Sequence, residues 1–134
     1  DGRFDAPRTR EEFLAALDAA TREGDFVFAS VKGNGAQALR ERISLAIWVD
    51  APRETRLQRV RERSFRRFGE RMLPGGDLYA AEEKFFAQVA SRSDEEMRAW
   101  AAQLPWPVLR VDGTRPVEAL VPEICTWISE TTGL

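Results

Sequence analysis

The side chains able to do chemistry in this sequence are almost all arginines. Between Arg53 and Arg71 there are eight arginines and only three acids. Arg59 and Arg63 stand four residues apart, so a helix places them on one face, with Arg56 and Arg67 extending the same stripe. A guanidinium can lie flat on an aromatic base and can fork around phosphate oxygens, so this spacing suits recognition of a phosphorylated ligand. Phosphoryl transfer asks mainly for positioning and charge neutralisation, which arginine supplies without a covalent intermediate. The competing reading is a solvated helix face whose arginines pair with Glu54, Glu62 and Glu70.

What is missing narrows the chemistry further. The 134 residues contain no histidine, which removes Ser-His-Asp and Cys-His catalysis and every histidine-based metal site. Cys125 is the single cysteine, so no internal disulfide or cysteine cluster can form, and a reducing, cytoplasmic setting is the expectation. The charges nearly balance at 20 basic and 22 acidic residues, a formal net charge of −2. That balance speaks against a nucleic-acid or membrane-surface binder, which carries a basic excess. No apolar run reaches the roughly 20 residues that span a bilayer. An apolar fraction of 43% is enough for one hydrophobic core.

The elements that must position the arginines follow from pattern. Thr9 and Glu12 have capping-box spacing, and Phe13, Leu14, Leu17 and Ala20 recur at helical intervals until Gly24. Phe26–Ala29 reads as a short buried strand, followed by a loop holding Lys32 and Gly33-Asn34-Gly35, then a short helix through Ala38 to Arg42. Ile43–Val49 is an apolar run of the kind found in a parallel sheet covered on both faces. Asp50-Ala51-Pro52 then opens the arginine-rich helix. Asp77 is the expected N-cap of a helix to about Ala90, and Ser93-x-x-Glu96 caps another ending near Gln103. Pro107–Asp112 is the last strand. The turn Gly113-Thr114-Arg115-Pro116 leads into a final helix buried along Val117, Leu120, Val121, Ile124 and Ile128, with Asp112 expected to brace the turn.

Two segments taken together, ISLAIWVDAPRETRLQRVRER at 43–63 and VLRVDGTRPVEALVPEI at 108–124, resemble the C-terminal half of adenylate-kinase-like P-loop kinases. RFGERMLPGGDLYAAEEKFF at 67–86 resembles a bacterial branch of kinase-like ATPases within that group. The resemblance implies an α/β fold, a three-layer parallel sheet flanked by helices in the nucleotide-kinase manner, over residues 1–134 with a lid-like segment at about 64–92. It implies that Arg59 stacks on the nucleotide base, that Arg63 reaches donor phosphates, and that Gly113, Thr114, Arg115 and Pro116 frame adenine. It places Arg8 and Lys32 on the acceptor side. ATP with Mg²⁺ is the implied cofactor, the ion being held by the nucleotide and by a loop outside this sequence, so no metal ligand is assigned.

The sequence departs from that family in one large respect. It holds no Gly-x-x-x-x-Gly-Lys-Ser/Thr, the loop whose amides cradle phosphates. The chain therefore reads as a kinase lacking its first strand, part of a small-molecule phosphotransferase and inactive alone. The alternative is a non-catalytic nucleotide-binding or self-associating domain. The expected partners are a nucleotide and a small acceptor, with the open strand edge free for a second copy or a complementing N-terminal segment. Membrane and nucleic acid are not expected.

Overall fold

A computed structural model describes residues 7–31, 33 and 35–133. The chain divides into two compact units, Asp1–Ser44 and Leu45–Leu134.

The first unit is built on helix α1, Arg10–Thr21. Its capping box forms as the spacing predicts: Glu12 N donates to Thr9 Oγ1 at 3.1 Å and Thr9 N to Glu12 Oε2 at 3.0 Å. Residues 35–42 make a series of hydrogen-bonded turns in place of the expected short helix, and bury Leu39. Gly35 has φ +86° and presses so close to Leu17 and Phe13 that a Cβ would stand 2.8 Å from Leu17 Cδ2. Phe26–Ala29 is not a strand. Val27 is 98% exposed, and a short apolar run without a strand to pair with gains nothing by extending.

The second unit holds two strands, β1 (Ala46–Asp50) and β2 (Val108–Asp112), paired in parallel with Ala46 opposite Val108 and Asp50 opposite Asp112. The three-layer sheet expected for a nucleotide kinase is therefore not formed; among the described residues the sheet has two strands. Between them run α2 (Arg53–Phe68), a 3₁₀ turn over Gly69–Met72, α3 (Tyr79–Ala90) and α4 (Asp94–Ala102), and α5 (Val117–Thr132) follows β2. Pro52 precedes α2 and Pro116 precedes α5, each fixing φ for a helical first turn. Ser93 Oγ accepts from Glu96 N at 3.1 Å and so caps α4. Asp77 does not cap α3; its carboxylate takes both Nε and Nη2 of Arg71, at 3.0 and 2.9 Å. No helix among the described residues is long and apolar enough to cross a membrane.

The core lies between α2 and α3, where Phe86 and Val89 are buried together with Met72 and Leu78 from the intervening turn. The 64–92 segment, expected to be lid-like, packs here. Arg61 lays its guanidinium 4.5 Å from the centre of the Phe86 ring and pairs with Glu83, tying the two helices from outside. On α5 the expected stripe is only partly inside: Leu120 is buried while Val117 and Val121 are exposed.

Phe85 and Phe86 are adjacent but differ in burial, at 37% and 1% exposure. Urea unfolding should show Phe86→Ala costing about 3–5 kcal/mol and Phe85→Ala clearly less. Equal losses would mean that the core runs elsewhere.

Candidate functional site

The parallel register brings the carboxyl ends of β1 and β2 to the same level, and the turns after them lie side by side. Gly113 N donates to Asp50 O at 2.7 Å, closing the two turns on each other. This contact requires glycine. A Cβ on Gly113 would meet Val49 Cγ1 at 2.9 Å, Asp50 O at 3.1 Å and Ala51 Cβ at 3.3 Å.

The turn itself is held from below by Asp112. Its Oδ1 accepts from Thr114 N at 2.9 Å and from Thr114 Oγ1 at 2.6 Å, the bracing the sequence suggests. The Thr114 hydroxyl, then its amide, hold the Asp112 carboxyl below its ordinary value of 3.8 despite some desolvation. Arg115 is engaged with Glu123, Nη1 to Oε2 at 2.6 Å, and Pro116 leads α5.

Onto this turn comes α2. Arg59 Nη1 donates to Gly113 O at 2.7 Å, so the first arginine of the Arg-x-x-x-Arg pair and the Gly-Thr turn form one constellation. Arg63, one turn further along, is exposed and makes no hydrogen bond or ion pair among the described residues. Arg8 is exposed ahead of α1 in the first unit, and Lys32 lies outside the described residues.

Arg56 has a different task from its neighbours in the stripe. Its Nη1 donates to Ala51 O at 3.1 Å and to Asp94 Oδ1 at 2.7 Å, fixing the start of α2 to the start of α4. Its Nε and Nη2 are buried without a partner. The Arg56 hydrogen bond, aided by the charges of Arg56, Arg53 and Arg98, holds the Asp94 carboxyl below 3.8 against desolvation.

Beside this clamp opens a groove of about 440 Å³, lined by Asp50, Asp94, Asp112, Arg98 and Arg110 among others. Asp50 is paired with Arg110, whose guanidinium lies 4.7 Å from the Trp48 ring centre. Sequence reasoning passes over Arg110. The signal for Arg110 is its strand position, opposite Trp48 in a register that only the fold reveals. No group of three or more metal-ligating side chains converges among the described residues.

No family model matches the chain, and no solved structure matches it, so the expected P-loop sheet has no structural neighbour behind it. Among curated proteins the chain is similar to the uncharacterized protein YqaC of Bacillus subtilis strain 168. The two are 28% identical over 99 residues, which is 68% of this chain and 56% of that protein. The chain thus spans just over half the length of the curated relative it matches.

The bonded aspartates set a direction for pH. A carboxyl whose folded value is depressed contributes stability that is complete above its unfolded value and lost as pH falls through the folded one. Stability should therefore be flat above about pH 5 and decline below about pH 4. In a carboxyl NMR titration, Asp112 should titrate below 3.8 in the wild type. Thr114→Val, which removes the hydroxyl bond, should move it upward. An unmoved Asp112 in that variant would show that the hydroxyl is not what holds it.

Proposed function

We propose that this chain is the nucleotide-handling part of an ATP-dependent phosphotransferase acting on a small molecule, similar in its motifs to adenylate-kinase-like enzymes. In this reading Arg59 presents its guanidinium face to the base, Arg63 takes donor phosphate, and residues 113–116 frame the base with main-chain groups. Acceptor binding by Arg8 and Lys32 rests on the motif argument alone.

The observation that carries the reading is the hydrogen bond from Arg59 to Gly113 O, across 54 residues of sequence. Each motif alone has an ordinary explanation, a charged helix face or a tight turn. Their convergence is what a base pocket built from one guanidinium and one rigid turn requires. Arg59 is fixed by that bond, whereas Arg63 has no partner among the described residues, and an exposed arginine of that kind is available to an anion. The reading concerns binding; phosphoryl transfer also needs a phosphate cradle, which this sequence lacks. Mg²⁺ would arrive on the nucleotide phosphates, with no ligand from this chain assigned to it.

Calorimetric titration with Mg-ATP should give micromolar-range binding and no turnover. Arg63→Ala should weaken binding about tenfold or more, the scale of one charged hydrogen bond, with an unchanged melting temperature. Arg59→Ala should weaken binding and also lower the melting temperature, because it removes the bond to Gly113. Lys84→Ala, on an exposed position of α3, should change neither. Failure of the wild type to bind ATP at millimolar concentration would overturn the proposal, as would full affinity in the Arg63 variant.

A further inference from the structure

Among the described residues, strand β1 is paired on one side only. Ala46 N donates to Pro107 O at 2.9 Å and Asp50 O accepts from Gly113 N, so these alternate residues turn their main-chain groups to the β2 side. By the alternation of a parallel ladder, the amides and carbonyls of Ile47 and Val49 face the open edge. Their side chains share one sheet face with Leu109 and Val111, yet Ile47 is 39% and Val49 60% exposed. The other face carries Trp48 under Arg110. An exposed apolar edge of this kind is a template for another strand, and from Ala46 to Val49 no charge, proline or bulge guards it.

We propose that this edge is a self-association surface: β1 pairs antiparallel with β1 of a second copy, about a two-fold axis at Trp48, giving one four-stranded sheet. The sequence Ala-Ile-Trp-Val-Asp is self-complementary in that register. Ile47 comes opposite Val49 of the second copy, and the two such pairs exchange four main-chain hydrogen bonds. On their face, Leu109, Ile47 and then Val49 and Val111 of the second copy form a continuous apolar row. On the opposite face the two Trp48 rings become neighbours, each backed by its own Arg110.

Charge favours the same register. Asp50, already paired with Arg110, comes opposite Ala46 of the second copy, so no like charges meet. Sliding the pairing toward the carboxyl ends of the strands brings the two Asp50 carboxylates together. An antiparallel pair also closes on itself, whereas parallel head-to-tail addition leaves an edge open for further copies. Two five-residue edges make a small interface, so the dimer belongs to the weak, concentration-dependent class.

Light scattering on the intact chain tests this. The mass should rise from 15.2 kDa toward twice that value as concentration increases from about 1 to about 100 µM. Val49→Lys should stay at 15.2 kDa with an unchanged circular dichroism spectrum. In a Cys125→Ser background, mixing Ile47→Cys chains with Val49→Cys chains should give an intermolecular disulfide faster than either does alone, because only that pair is opposed. A chain that remains monomeric throughout overturns the proposal and leaves the edge to a strand from outside this sequence. Association that survives Val49→Lys, or mixed cysteines that link no faster than the single ones, overturns it equally.

Discussion

The in-register parallel pairing of Ala46–Asp50 with Val108–Asp112 is the constraint on which the rest of the larger unit depends. Both strands end on an aspartate at the same level, and the Asp50 carbonyl takes the Gly113 amide just beyond. The turns into α2 and α5 are thereby fixed beside one another. That is why a side chain two turns into α2 can reach the carbonyl of Gly113. A slip of one residue would put Trp48 on the face of Leu109 and Val111, leave Arg110 on the face of Ile47 and Val49, and break every contact built on the present alternation. The close approach at Gly113 resists such a slip, since any other residue there collides with Val49 and the Asp50 carbonyl.

A two-stranded sheet offers little to bury, and the arginine-rich helix supplies part of what the sheet does not. Arg56 bonds the end of β1 to α4, Arg61 covers Phe86 and reaches Glu83, and Arg71 holds the loop before α3 through Asp77. These pairs are partly exposed, so each contributes modestly, and their value lies as much in fixing geometry as in energy. Arg56 illustrates the cost, because two of its nitrogens are buried unbonded and only the Ala51 carbonyl and Asp94 offset their desolvation. The arginine stripe is thus divided in function. Some members are committed to packing, Arg59 serves packing and the turn, and Arg63 has no partner among the described residues.

What was legible in the sequence follows the same division between local and distant interactions. Thr9, Ser93 and the Asp112–Thr114 brace are hydrogen bonds closed within three residues, and each is found where the spacing places it. Both strands of the sheet are found within three residues of their expected starts, since each apolar run has the other to pair with. Phe26–Ala29 carries the same local signal and fails, because a strand exists only when another is present to pair with it. Asp77 fails as a cap for a related reason: Arg71, brought back by the glycine turn, competes for its carboxylate and wins with two bonds. The role of Arg56 was hidden because its partner Asp94 lies 38 residues away.

The correction to the fold also separates two properties that the motifs present together. The constellation of Arg59, Arg63 and the 113–116 turn depends on β1, β2 and the first turns of α2 and α5, and on no further strand. A base pocket of that kind can be complete in a unit with a small sheet. Phosphoryl transfer is more demanding, because the charge that develops on the transferred group must be met by several fixed donors at once. One arginine bonded to one rigid turn is the part of the first requirement that the fold supplies, and it does not supply the second. In the proposed reading, recognition of a nucleotide and the chemistry performed on it are therefore separable, and the Arg59–Gly113 contact bears on recognition alone.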